Sequence, residues 1–144
     1  MSHYADSSFL VSCYVTDAHT TQANAYLSAH SVPLIFTALH DLEVRNALKL
    51  GVFRGLFTVA AGAAAWANLE RDLKLGRLVR TSVKWALAFR LASQLSDQHS
   101  ALTGTRSLDV LHVALARSLR FADFCSFDLR QRALAVKLGM RVVP

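Results

Sequence analysis

Short apolar runs alternate with longer stretches of helical periodicity along this chain of 144 residues. His3 to Asp6 reads as a short strand that runs straight into Ser7-Ser8-Phe9-Leu10-Val11, where the serines suit the start of a helical turn. A helix is expected over Thr20 to Ala29, and Pro33 precedes Leu34-Ile35-Phe36, an apolar run long enough for a buried strand. From Ala38 to Gly51 the positions Leu39, Leu42, Val44, Ala47, Leu48 and Leu50 broadly keep helical spacing, with Gly51 as the expected stop. Thr58 to Leu75 forms a long Ala-rich helix in which Gly62 and Ala63-Ala64-Ala65 permit close approach of a neighbour, and Gly76 ends it. Leu78-Val79 is a brief strand, and Val83 to Leu102 a further amphipathic helix closed by Gly104. Ser107 is placed to cap a helix whose Leu108, Leu111, Leu115 and Leu119 make one inward stripe. Phe124-Cys125-Ser126-Phe127 then reads as a strand, Asp128 as a strand-to-helix junction, and Arg141-Val142-Val143 as a terminal strand after Gly139.

Short apolar strands separated by helices predict an α/β fold with a mostly parallel, covered sheet. No internal repeat, linker or shift in composition interrupts it, so residues 1–144 are expected to form one domain. Sheets of this kind bind ligands at the carboxyl ends of their strands, where Asp6 and Asp128 are expected.

Composition narrows the class. With 53% apolar and 18% charged residues, 6 Gly and 2 Pro, the chain is neither disordered nor fibrous. Its longest uncharged, largely apolar run, Gly55 to Leu69, falls short of the roughly 20 residues a membrane helix needs. No basic patch precedes an apolar stretch at the start, so neither signal nor transit peptide is expected, and a cytoplasmic location is. Cys13 and Cys125 lack metal-ligand or disulfide spacing and read as buried thiols. No Gly-rich phosphate loop and no Gly-x-Ser-x-Gly elbow occurs. The net charge of +6 is segregated, because residues 1–44 contain no Lys or Arg. A basic chain with a local acidic group suits a polyanion-binding surface built around a metal, although a solvated cationic face gives the same balance.

Four carboxylates stand out: Asp6 after the first strand, Glu43 within a helix, Asp109 in a helix's first turn, and Asp128 after a late strand. Each alone has an ordinary explanation, since Asp is favoured at helix starts and Glu on solvated helix faces. Together they would repel one another unless cations or shared protons compensate. An oxygen-only set of this kind suits Mg²⁺ or Mn²⁺, which can bind a phosphodiester and lower the pKa of an attacking water.

Taken in order, Tyr4-Ala5-Asp6-Ser7-Ser8-Phe9-Leu10, Leu42-Glu43-Val44-Arg45-Asn46-Ala47-Leu48, Ser107-Leu108-Asp109-Val110-Leu111-His112-Val113-Ala114 and Ser126-Phe127-Asp128-Leu129-Arg130 resemble the four blocks of a PIN domain, in particular the VapC-type toxins. The resemblance spans nearly the whole chain. It implies a three-layer sandwich with a central parallel sheet of four to five short strands flanked by helices. It also implies that Asp6, Glu43, Asp109 and Asp128 gather around Mg²⁺ or Mn²⁺ as catalytic residues and metal ligands. The implied activity is that of an endoribonuclease cutting tRNA, ribosomal RNA or messenger RNA. Ser126 stands where the family commonly has Thr, keeping a hydroxyl to orient the site, and Ser7 is a second such hydroxyl. A cognate antitoxin and a homodimer are the protein partners implied.

Arg45, Arg106 and Arg130 lie near these acids in sequence and are candidates for holding substrate phosphate or for pairing with carboxylates. Arg71, Lys74, Arg77, Arg80 and Lys84 form a basic series that either follows an RNA backbone or makes a solvated face, with Glu70 placed to pair with Lys74. His112 is read as a packing or capping side chain, because no His-Glu-x-x-His pattern accompanies it. Two rival functions remain at this level: a catalytically inactive PIN-like module that binds RNA or antitoxin, and a small metal-dependent phosphatase using the same acids.

Overall fold

The computed structural model describes residues 3–144. In chain order its elements are β1 (His3–Ala5), α1 (Ser7–Tyr14), α2 (Thr20–Ala29), β2 (Leu34–Phe36), α3 (Ala38–Phe53), α4 (Val59–Lys74), β3 (Leu78–Arg80) and α5 (Trp85–Leu95). A π-helical turn (Ser96–Ser100) and the short α6 (Ala101–Thr103) follow, then α7 (Ser107–Ser118), β4 (Asp123–Cys125), α8 (Leu129–Lys137) and β5 (Arg141–Val143). The chain divides into two compact units, residues 3–6 with Val83–Pro144, and Ser7–Ser82.

The α/β class with short parallel strands is as expected. The strands pair in two ladders, β1-β4-β5 and β2-β3, where the resemblance implied one central sheet of four to five. Each strand is only three residues long, so each ladder is held by few backbone bonds and must be covered by side chains. In the first unit Tyr4 of β1 stacks on Phe124 of β4 at 5.7 Å and meets Phe121 edge-on. Leu111, Leu115 and Leu134 are buried with them. Register also aligns His3, Asp123 and Arg141 in one row. Arg141 grips the buried Asp123 with two 2.7 Å bonds, and His3 Nδ1 lies 3.0 Å from the same carboxylate. Asp123 is therefore a neutralised structural acid at the opening end of β4.

In the second unit α3 begins with a reciprocal cap. Thr37 Oγ1 accepts from His40 N–H, and the Thr37 N–H donates to His40 Nδ1. This puts the buried His40 to local use. Two boundaries differ from expectation, the first for a packing reason. Helix α3 runs through Gly51 to Phe53, because Gly51 makes room for the Phe57 ring, against which a Cβ would collide. The turn falls instead at Gly55, whose φ of +69° is left-handed. The long helix expected from Val83 to Leu102 is present over residues 85–103, α5 passing through the π turn into α6 with right-handed helical dihedrals at both junctions. Ser107 is the first residue of α7 rather than its cap, and Leu108 is exposed while Val110 to Ala116 are all buried.

Candidate active site

Two sequence-predicted residues meet one step beyond the strands. Register sets Ala5 beside Cys125 and Cys125 beside Val143. The ladder continues as Asp6 N–H donates to Cys125 O at 3.0 Å and Ser126 N–H to Val143 O at 3.2 Å. Asp6 and Ser126 thus stand side by side at the carboxyl ends of parallel strands. Both are fully buried, and Ser126 Oγ donates to Asp6 Oδ2 at 2.6 Å. A buried carboxylate requires such donors, because its desolvation is costly otherwise.

The sequence placed Ser126 and Phe127 within the strand, whereas β4 stops at Cys125. That leaves Asp128 as the N-cap of α8. Its Oδ1 accepts from the Arg130 and Gln131 N–H groups, both at 2.9 Å, and its own N–H donates to Ser126 Oγ at 3.0 Å. One oxygen therefore does the capping that an Asp is suited to here. Its Oδ2 accepts no hydrogen bond among the described residues.

Asp109 lies in the first turn of α7, as the sequence predicted. Its Oδ1 accepts from Gln131 Nε2 at 2.9 Å and its Oδ2 from Arg106 Nε at 3.2 Å. Gln131 is a residue the sequence reading missed. The spacing Asp128-x-x-Gln131 looks like a local capping box, in which the Gln would turn back to the Asp128 N–H. Ser126 already takes that N–H, so the amide reaches Asp109 instead. Asp109, Gln131, Asp128, Ser126 and Asp6 are thus joined residue to residue, through both side chain and backbone N–H of Gln131 and of Asp128.

Glu43 and Ser7 belong to the second unit, where Ser7 Oγ donates to Glu43 Oε1 at 3.0 Å. Ser7 follows Asp6 directly in the chain. Arg45, on α3, pairs with Asp41 and lies 3.8 Å over the Trp66 ring. Arg106 is mostly exposed and its guanidinium pairs with Asp109. Arg130 is exposed, its side chain running near Gly104, where an added Cβ would meet Nε at 3.8 Å. Of the basic series, Arg77 pairs with Asp72 and Arg80 with Asp41, so both are at least partly neutralised. His112 is buried and shares a 2.7 Å hydrogen bond with the Tyr4 hydroxyl. That is a packing role.

Among the described residues no three His, Cys, Asp or Glu side chains form a ready-made metal cluster. Mg²⁺ does not demand one, since it retains several waters and is commonly held by one or two carboxylates plus substrate phosphate. The donors fit such an ion. They are oxygens only, Asp128 Oδ2 accepts no hydrogen bond among the described residues, and the cation on Asp109 is a largely exposed arginine. Asp109 and Asp128 would hold the ion, with Asp6 behind them through Ser126. The ion would supply charge neutralisation for a phosphodiester and for the oxygens that exchange on it.

No family model and no curated protein matches the chain. Solved structures do. VapC20 of Mycobacterium tuberculosis, described as a sarcin-ricin loop cleaving toxin, superposes with a TM-score of 0.65 at 19% identity, covering 99% of this chain and 100% of the other. FitAcB from Neisseria gonorrhoeae superposes with a TM-score of 0.64 at 17% identity, over 98% and 96% of the two chains. At such identities it is backbone architecture that is shared, and it is shared end to end. With parallel β1-β4-β5 and the acids at its carboxyl end, the chain has the fold of the VapC-type PIN-domain toxins.

Proposed function

We propose that this protein is a Mg²⁺- or Mn²⁺-dependent endoribonuclease and the toxin of a toxin–antitoxin pair. The observation that carries the reading is the set of hydrogen bonds that ties Asp109, Asp128 and Asp6 into one network of residues at the carboxyl end of the parallel ladder. Each carboxylate is oriented by donors of its own, Asp6 by Ser126 Oγ, Asp128 by the Arg130 and Gln131 N–H groups and Asp109 by Gln131 Nε2, which is the preorganisation a site for a cation and a phosphodiester requires. Asp109 and Asp128 bind and orient the ion, Ser126 fixes Asp6, and Glu43 is the fourth acid of the set. Arg130, and Arg106 once released from Asp109, are the cations assigned to substrate phosphate, whereas Arg45 pairs with Asp41 and lies over Trp66.

The likeness to VapC20 supports structured ribosomal RNA as the substrate class, with tRNA and messenger RNA the other candidates. A cognate antitoxin, a homodimer and a cytoplasmic location belong to the same reading. The test is incubation of purified protein with tRNA, ribosomal RNA and an isolated sarcin-ricin loop, in Mg²⁺, in Mn²⁺ and in chelator, beside a folded Asp128→Asn control. Discrete fragments that need metal and vanish in the control are expected. Intact RNA in every lane, with RNA nonetheless bound, would overturn the nuclease in favour of an inactive binding module. Faster turnover of a small phosphomonoester would favour a phosphatase.

A further inference from the structure

The second ladder also ends in a polar hollow. Thr81 N–H donates to Phe36 O at 3.0 Å, which carries the β2-β3 pairing one step past β3. Parallel strands bind ligands beyond their carboxyl ends, and an open hollow of about 430 Å³ lies there, lined among others by Asp41, Leu42, Arg45, Arg80 and Ser82. Two guanidiniums share one carboxylate in it: Arg45 Nε pairs with Asp41 Oδ1, and Arg80 Nη1 lies 3.6 Å from Asp41 Oδ2. One positive charge is therefore in excess. Each guanidinium is also held by a ring, Arg45 at 3.8 Å over Trp66 and Arg80 at 5.6 Å over Phe36. A guanidinium carries five N–H donors, and beyond these contacts neither donates a hydrogen bond among the described residues. Two arginines fixed in this way lose little further side-chain freedom on taking up an anion.

We propose that this hollow is a phosphodiester-binding subsite for the RNA strand, with Arg80 and Arg45 donating to a backbone phosphate. The inference rests on RNA as the substrate in the reading above, and it adds a place where the strand is held besides Arg106 and Arg130. A phosphodiester carries one negative charge, which matches the single positive charge in excess, and its oxygens match the planar N–H forks. Leu42, 64% exposed, gives the hollow an apolar wall, and the exposed Ser82 gives it a hydroxyl, so a ribose as well as a phosphate meets a complementary surface. An acidic peptide would bring carboxylates to the same forks but no sugar hydroxyl to Ser82.

The probe is a short labelled oligouridylate bound to the full chain in chelator, which holds cleavage off, with affinity read by fluorescence anisotropy over a range of salt. Arg80→Gln and Arg45→Gln are each expected to weaken binding by about 3–10-fold at low salt and to flatten the slope of log affinity against log salt by about 0.7, the value for one single-strand phosphate. Asp41→Asn removes the competing carboxylate and should tighten binding, a change that loss of fold cannot imitate. Lys137→Gln makes the same charge change on an exposed side chain of α8 and should leave the slope near that of the wild type. Wild-type affinity and slope in both folded arginine variants, or an equal loss in Lys137→Gln, would overturn the subsite and leave the nuclease standing. Arginine variants that keep RNA but lose polyglutamate binding would make an acidic peptide the occupant and overturn the assignment to RNA. Displacement of the RNA by inorganic phosphate at matched ionic strength, in the wild type and not in Arg80→Gln, would assign the hollow to free phosphate and overturn it equally. RNA bound with the expected slopes but never cut in Mg²⁺ or Mn²⁺ would support the subsite and overturn the nuclease alone. A wild type that neither binds nor cuts RNA would overturn both.

Discussion

Ser126 Oγ lies 2.6 Å from Asp6 Oδ2, and the two residues are separated by 120 positions in sequence and by one strand spacing in the ladder. The hydroxyl is also the acceptor for the Asp128 N–H, so one oxygen ties a buried acid to a helix cap.

Ser126→Ala removes the donor on Asp6 and the acceptor for Asp128 together. Hydrogen bonds to charged groups contribute about 1.5–3 kcal/mol. A stability loss of that size in urea unfolding is expected, with RNA cleavage reduced as well. Ser126→Thr retains the hydroxyl and should recover most of both.

Asp128 serves two roles that substitution can separate. Asn caps a helix about as well as Asp, while Ala costs about 1 kcal/mol. Asp128→Asn is therefore expected to unfold at nearly the wild-type denaturant midpoint, and Asp128→Ala at a lower one. Both should lose metal-dependent cleavage, because neither restores the carboxylate.

Tyr4 and His112 are joined by a 2.7 Å hydrogen bond within the buried core of the first unit. Removing the hydroxyl in Tyr4→Phe is expected to cost about 1 kcal/mol of stability. Cleavage rate and its metal dependence should not change. A large loss of activity at unchanged stability would instead assign His112 to the chemistry.

Alkaline pH should loosen the second unit through Cys13 and Tyr14. Burial, reinforced by Asp17 and Asp72, pushes the Cys13 thiol up from 9.0 to about 12. Burial and the hydrogen bond to Asp72 push Tyr14 up as well. Both groups hold their proton more tightly folded than unfolded. Their contribution is thus complete below about pH 9 and is lost as pH rises toward the folded value, by up to about 1.4 kcal/mol per pH unit for each proton. Urea midpoints measured from roughly pH 8 to 11 should fall less steeply in Cys13→Ala than in the wild type.

Local chemistry made most of the architecture legible. The periodicity over Thr20–Ala29, the apolar run Leu34–Phe36 and the terminal Arg141–Val143 each became the element expected, because each encodes its own conformation. The acids Asp6, Asp109 and Asp128 were likewise visible, since strand ends and first helical turns are positions a sequence marks. What local spacing could not contain was contact. Gly51 reads as a stop until Phe57 is seen to need its space, and the π turn after Leu95 leaves no mark in an amphipathic pattern. Gln131 reads as half of a capping box until Ser126, five residues upstream, takes the partner it would have had. The sequence by itself determined the element types and the set of candidate acids, through propensity and patterning that act over a few residues. Only the tertiary structure decided which donor serves which acid, because hydrogen bonds such as Ser126 to Asp6 are satisfied by neighbours in space, whatever their distance along the chain.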